Sequence, residues 1–122
     1  MNNRDWRDDR QRVVTLLSAE GPREHIALLG WVRTVRRSKE VMFLAVNDGS
    51  CLASIQVVVA GEMSGFEDLG RIGTGACVGV RGALAASPGA GQEWEVQAAD
   101  VTVISLAGED FLVAAGGFAL AR

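Results

Sequence analysis

The pattern of apolar and polar positions along the chain predicts five β-strands. Apolar stretches rich in β-branched residues favour extended structure, and clusters of turn-forming residues separate them. Asp48-Gly49 is a strong hairpin signal between the second and third stretches. The predicted strands are residues 25–38, 41–47, 52–60, 76–86 and 92–104.

Two other stretches carry apolar residues at helical spacing. One lies before the first strand, where Gly21-Pro22 ends it, and the other lies between the third and fourth strands. Each predicts a short helix. Their apolar positions are Val13, Val14, Leu16 and Leu17 in residues 10–19, and Met63, Phe66, Leu69 and Ile72 in residues 62–72.

Three strands, a helix and two further strands predict a small closed barrel, with the helix filling the gap between strands three and four. Closure is favoured because an open sheet of this composition would leave unprotected edges. Gly30, in the middle of the first strand, indicates a bulge or bend of the kind that lets a barrel strand curl.

The chain divides into three predicted regions. Residues 1–24 form a charged segment with the short helix, residues 25–106 form the barrel, and residues 107–122 form a tail. The tail carries Phe111, Leu112, Val113, Phe118 and Leu120, which are too apolar for a free terminus. It either packs back on the domain or meets another chain, and the second alternative would make a homodimer.

Alternation along the strands separates a core face from an outer face. One face of the second strand and one face of the third are apolar throughout. The predicted core positions are Met42, Leu44 and Val46 in the second strand and Ala53, Ile55, Val57 and Val59 in the third.

The opposite face brings an aromatic ring close to an amide. A tight turn at Asp48-Gly49 would place Phe43 opposite Ser54 and diagonal to Gln56. Either another segment covers the Phe43 ring, or the ring is exposed and stacks on a nucleic-acid base whose polar edge the amide reads.

The fifth strand has the same two-sided character. Trp94, Val96 and Ala98 form its apolar face, whereas Glu93, Glu95 and Gln97 point away from the core. The acids are either solvated or accept hydrogen bonds from the amino and imino groups of a base.

Charge narrows the class of partner. The 122 residues, enough for one domain, carry a net charge of −3, which argues against a general polyanion binder. Four basic residues nevertheless fall close together and suggest contact with a few phosphates. They are Arg33, Arg36, Arg37 and Lys39.

Cofactor and metal chemistry finds no support in the sequence. Cys51 and Cys77 are isolated, and His25 is the single histidine, so a zinc site is not predicted. The chain shows no apolar run of about 18 residues and no signal-peptide core, so we expect a cytoplasmic protein without membrane contact. Buried free thiols are then favoured over a disulfide, which remains an alternative.

Two stretches resemble a known family. Residues 30–50, GWVRTVRRSKEVMFLAVNDGS, resemble the first hairpin of the anticodon-binding domain of class II aspartyl- and asparaginyl-tRNA synthetases. Residues 86–98, ASPGAGQEWEVQA, resemble the bacterial asparaginyl enzymes in particular, and the likeness extends from about Ile26 to Ile104. It implies an OB-fold, an all-β Greek-key barrel, that binds a tRNA anticodon loop or other single-stranded RNA.

The resemblance also implies roles for individual residues. Phe43 would stack on the central uridine, Gln56 would bond a base edge and Glu95 would read another anticodon base. Arg36 would contact the anticodon loop, whereas Arg33 and Lys39 are candidates from the local concentration of basic residues. Arg37 stands where some relatives have an acidic residue, so the resemblance assigns it less directly.

The family's catalytic domain should follow the barrel, but only the tail follows here. No phosphate loop, paired catalytic carboxylates or nucleophile–base set can be assembled from the remaining residues, so we expect no aminoacylation by this chain. Two alternatives to RNA binding stay open. The barrel could be a protein-interaction or dimerisation domain, or a truncated synthetase fragment that retains no RNA function.

Overall fold

A computed structural model of the chain describes residues 10–62, 66–87 and 94–106. Within them, five strands close into a barrel in the order β1-β2-β3-β5-β4. The elements are α1 (Val13–Leu17), β1 (Arg23–Arg37), β2 (Val41–Asn47), β3 (Ile55–Ala60), a 3₁₀ helix (Phe66–Arg71), β4 (Cys77–Ala86) and β5 (Trp94–Ser105). The predicted all-β barrel, with one short helix before it and another between the third and fourth strands, is confirmed.

The barrel closes because β1 is long and bent. Its first half pairs with β4 and its second half with β2, both antiparallel, and Trp31 pairs with both neighbours. At the bend the main chains approach so closely that a Cβ on Gly30 would lie 2.7 Å from the Asn47 carbonyl oxygen. The pairing register with β2 slips between Val32 and Thr34, just beyond the glycine that indicated a bend.

The core lies inside the barrel, as the alternation predicts for β2 and for most of β3. Ala53 is an exception: it is exposed, because β3 begins only at Ile55 and the preceding residues belong to a loop. The barrel interior is filled by fully buried aliphatic side chains, among them Leu28, Val32, Met42, Leu44, Val46, Ile55, Val57, Val59, Val80 and Val96.

The turn between β2 and β3 is longer than predicted. Phe43 pairs with Val58, and not with Ser54 as a tight turn at Asp48-Gly49 requires. Asn47 explains the difference: its side-chain amide donates to the carbonyl oxygens of Cys51 and Ala53, at 3.1 and 2.9 Å, and thereby holds residues 48–54 in a loop. The register moves by an even number of residues, so the side chains within β2 and β3 keep their predicted faces.

The same loop caps α1. The carboxylate of Asp48 accepts from the Val13 amide and the hydroxyl of Ser50 accepts from the Val14 amide, each at 3.0 Å. These amides have no partner within the helix, so capping from a distant loop stabilises a helix of a single turn. Val13 and Leu16 then complete the core.

The segment around α1 is also bonded to the strands. Gln11 bonds Ala27 in both directions, through its main-chain amide at 2.7 Å and its side-chain oxygen at 2.9 Å. The indole of Trp94 donates to the Ala19 carbonyl oxygen at 3.0 Å. The N-terminal segment therefore bonds β1 in its first half, where β4 pairs one edge and the pairing with β2, which begins at Trp31, has not yet started.

The two cysteines are free thiols, and each is half-buried rather than buried as predicted. Burial raises the pKa of the Cys77 thiol. His25 lies on β1 with its side chain exposed. Across the described ranges, no three His, Cys, Asp or Glu side chains are grouped so that they could hold a metal ion.

Some predictions fall outside the described residues. They include the apolar tail with the homodimer it would form, the charged residues 1–9, Met63 in the connecting helix and Glu93 before β5. Of the helices that the structure describes, none combines the length and the apolar character needed to cross a membrane.

Candidate nucleic-acid interface

Two rows of side chains run across the outer face of the barrel, each crossing β1, β2, β3 and β5 in turn. Strand register fixes both rows, because directly paired residues point to the same side of the sheet. The first row is Arg36, Phe43, Val58 and Gln97, and the second is Thr34, Ala45, Gln56 and Glu95. Five of these residues (Arg36, Phe43, Gln56, Glu95 and Gln97) are referred to below as the outer-face cluster.

Arg36 and Phe43 form a stacked pair at one end of the first row. They are direct partners across β1 and β2, and the guanidinium carbon lies 4.7 Å from the ring centroid. This is a cation–π distance, and it adds about 0.5–1 kcal/mol at an exposed site. The ring is half-buried and Arg36 is exposed, so the ring is accessible to a planar ligand if the guanidinium moves.

Glu95 lies at the other end of the second row. Its side chain is only 6% exposed, although it is on the outer face. The Gln56 amide donates to one carboxylate oxygen at 3.3 Å and the Gln97 amide donates to the other at 3.4 Å. Burial of a carboxylate requires such partners, and the two glutamines supply them from the neighbouring strand and from the same strand.

The four basic residues do not act as one group. All four are exposed: Arg33, Arg36 and Arg37 lie in the second half of β1, and Lys39 lies in the turn before β2. Arg37 lies opposite Met42, a core residue, so its side chain leaves from the core side of the barrel. Arg36 and Arg37 are adjacent in sequence, but the alternation of the strand sends them to opposite sides.

The guanidinium of Arg37 holds the 3₁₀ helix in place. One of its nitrogens donates to the Gly70 carbonyl oxygen at 2.9 Å and also bonds the carbonyl oxygens of Leu69 and Ile72. Leu69 and Ile72 are themselves buried in the core. Arg37 was predicted as a nucleic-acid contact, and the structure places its guanidinium on the fold instead of in the outer-face cluster.

Sequence reasoning did not select Gln97 as a site residue. The structure places it beside Glu95, exposed, and in line with Phe43 and Val58. The sequence feature that could have identified Gln97 is the alternation of β5, which assigned it to the outer side together with Glu95. What the sequence lacked was the parallel pairing of β3 with β5, which brings Gln56 and Gln97 to the same carboxylate.

A concave surface lies beside α1, away from the cluster. It encloses about 630 Å³ between the helix and the start of β1, and Arg12, Ser18 and Arg23 are among its lining residues. No residue of the outer-face cluster lines it.

The sequence and the fold both agree with one known family. A family model described as an OB-fold nucleic acid binding domain, of the tRNA anticodon type, matches residues 26–104. The chain belongs to this family of anticodon-binding OB-fold domains. The resemblance stated from the two sequence stretches is thereby confirmed over the whole barrel.

The curated relatives are much longer proteins. An asparagine–tRNA ligase from Geotalea uraniireducens is 49% identical over 102 residues, which cover 84% of this chain and 22% of the ligase. The asparagine–tRNA ligase of Geobacter metallireducens is 50% identical over the same length, with the same coverage. The chain thus spans about a fifth of the length of these relatives.

Solved structures show the same barrel. The asparaginyl-tRNA synthetase of Pyrococcus horikoshii superposes with a TM-score of 0.61 at 26% identity, covering 74% of this chain and 24% of that protein. An OBody bound to hen egg-white lysozyme superposes with a TM-score of 0.69 at 16% identity, covering 81% of this chain and 95% of the OBody. At that identity, the second likeness shows the fold alone.

Proposed function

We propose that this OB-fold domain binds the anticodon loop of a tRNA and reads its bases on the outer face of β1, β2, β3 and β5. The observation that carries the proposal is the outer-face cluster, in which a stacked Arg36–Phe43 pair lies beside a carboxylate held by two amides. Single-stranded RNA is recognised by such a combination of aromatic stacking and polar groups that bond base edges.

Phe43 supplies the stacking surface. In the free domain the Arg36 guanidinium lies over the ring, at 4.7 Å from its centroid. A base can replace the guanidinium there, because both are planar and both are attracted to the ring. Arg36 is then released to a phosphate of the loop, so the arginine contributes in both states.

Gln56 and Glu95 supply the base-edge contacts. An amide offers both a donor and an acceptor, whereas an ionised carboxylate only accepts. Guanine is the standard base whose pairing edge carries two adjacent N–H donors, so Glu95 favours guanine. The curated relatives are asparagine–tRNA ligases, and the asparagine anticodon GUU contains one guanine, with uracils for Gln56 and Phe43.

The basic residues add a small electrostatic contribution. Arg33, Arg36 and Lys39 are exposed and are the basic residues that we assign to the RNA, since the Arg37 guanidinium bonds the 3₁₀ helix. The protein as a whole carries a net charge of −3. Few phosphates are neutralised, so we expect affinity to come mainly from stacking and hydrogen bonds. We assign the domain this binding role in the cytoplasm and no chemical step of its own.

Titration with an anticodon stem-loop tests the proposal. We expect the wild-type domain to bind a stem-loop carrying GUU, and Phe43→Ala to weaken binding about 5- to 150-fold, because stacking contributes about 1–3 kcal/mol per base. Leu52→Ala is the matched control, since Leu52 is a large apolar side chain that is 99% exposed and lies in the β2–β3 loop. Equal affinity of Phe43→Ala and wild type would refute the proposed reading mode.

A further inference from the structure

Glu95 combines a charge, deep burial and weak hydrogen bonds. The side chain is 6% exposed, yet its two amide partners lie at 3.3 and 3.4 Å, beyond the usual range of 2.7–3.2 Å. Each carboxylate oxygen has two lone-pair directions. One long hydrogen bond to each oxygen therefore orients the carboxylate and leaves it able to accept further donors.

The two amides approach Glu95 from different directions. Gln56 reaches it across the parallel pairing of β3 with β5, as its direct register partner. Gln97 reaches it along β5, since side chains at i and i+2 of a strand share a face and lie about 6.5–7 Å apart at their Cα atoms. One amide therefore reaches the carboxylate across the sheet and the other along its own strand, so the two bonds together limit how the carboxylate can turn.

The backbone of Gln97 is itself fixed by a close approach of β4. The β4–β5 register shifts between Arg81 and Gly82, and Gly82 pairs with Ala98. A Cβ on Gly82 would collide with the Gln97 carbonyl oxygen, so only glycine allows the two main chains to lie this close. The side chain of Gln97 starts from a main chain with little freedom to move, although the side chain is exposed.

From this geometry we propose that Gln97 is a positioning residue, which orients the Glu95 carboxylate toward the base it accepts. The inference rests on the RNA-binding function proposed above. Gln97 acts before the RNA binds, because it selects one rotamer of Glu95. The side chain of Glu95 then loses less conformational freedom on binding, which favours the complex. An exposed glutamine without this role would affect neither Glu95 nor the choice of base.

The RNA test compares two stem-loops that differ at one base, guanine or adenine at the first anticodon position. Gln97→Met keeps the length of the side chain and removes its donor. We expect it to weaken binding of the guanine stem-loop about three- to ten-fold, the usual range for one hydrogen bond, and to leave binding of the adenine stem-loop unchanged. Thr102→Val is the control, an exposed change on the same strand outside the cluster.

A double-mutant cycle separates positioning from direct contact. If Gln97 acts through the carboxylate, Gln97→Met has no further effect on the affinity for guanine once Glu95→Gln is present. An equal loss in both backgrounds would show that Gln97 contacts the RNA independently, and would overturn the positioning role.

A measurement without RNA keeps the inference distinguishable from the proposed function. NMR scalar couplings report the rotamer populations of Glu95 in the free domain. We expect one dominant rotamer in the wild type and averaging over several in Gln97→Met. Identical populations in both proteins would overturn the positioning role whether or not RNA binds. Failure of the wild type to bind any stem-loop would refute the function alone and leave the couplings to decide the role of Gln97.

Discussion

Polar side chains in the outer-face cluster bond different partners from those that hold the two helices on the barrel. At the two helices, side chains bond main-chain groups: Asp48 and Ser50 accept from the first amides of α1 at 3.0 Å, and Arg37 donates to carbonyl oxygens of the 3₁₀ helix. On the outer face, Gln56, Glu95 and their neighbours bond one another, at 3.3 Å or more.

The difference separates stability from binding. A side chain that satisfies a part-buried main-chain group, as Asp48 and Ser50 do, cannot leave without depriving that group of its hydrogen-bond partner. Side chains that satisfy one another can exchange partners when a ligand offers equivalent donors and acceptors. We therefore expect substitutions at the helix contacts to lower stability and to leave RNA affinity unchanged. Substitutions on the outer face should lower RNA affinity and leave stability nearly unchanged.

The largest expected effect is at Asn47. This side chain is 8% exposed; its amide nitrogen donates to main-chain oxygens of the β2–β3 loop and its oxygen accepts from the Gly49 amide at 2.7 Å. Asn47→Ala leaves these groups unsatisfied, so the free energy of unfolding should fall by about 2–4 kcal/mol. Urea unfolding measures it, with Gln97→Met as the outer-face control. A loss of the same size in both variants would remove the distinction between the two regions.

A smaller effect distinguishes the adjacent arginines. Arg37→Met should lower the free energy of unfolding by about 1–3 kcal/mol, because it removes the donor that holds the 3₁₀ helix, and should leave RNA affinity unchanged. Arg36→Met should lower stability by at most about 1 kcal/mol, the value of an exposed cation–π contact.

The salt dependence of RNA affinity should also distinguish the two arginines. Arg36→Met should reduce the slope of log K against log salt by about 0.7, the value for one phosphate contact on a single strand. Arg37→Met should leave the slope at the wild-type value. A reduced slope in Arg37→Met would show that Arg37 reaches the RNA despite its contacts with the 3₁₀ helix.

The sequence predicted the architecture because each strand obeys its alternation locally. Met42, Leu44 and Val46 were assigned inward and Phe43 outward from periodicity alone, and these assignments survive a hairpin whose register was wrong. An even shift exchanges the partner of Phe43 from Ser54 to Val58 without turning the strand over. The faces were predictable, whereas the register depended on a loop.

The features that the sequence did not predict depend on contacts between residues far apart in the chain. The loop conformation is fixed by Asn47 and by the amides of α1, which no local turn signal contains. Arg37 was grouped with Arg36 by proximity in the chain, but the side on which each leaves is set by the register slip after Val32. The burial of Glu95 follows from the parallel β3–β5 pairing, which strand patterns do not specify.

NMR chemical-shift mapping of the RNA-binding surface tests the central claim most directly, since it locates the interface on the protein without any substitution. Addition of a GUU anticodon stem-loop to the ¹⁵N-labelled domain should shift signals of the outer-face cluster, including the amides of Phe43, Gln56 and Glu95 and the side-chain amide of Gln97. The groove beside α1, with Arg12 and Arg23, should remain unperturbed. Shifts concentrated in that groove, with the cluster unchanged, would contradict the account.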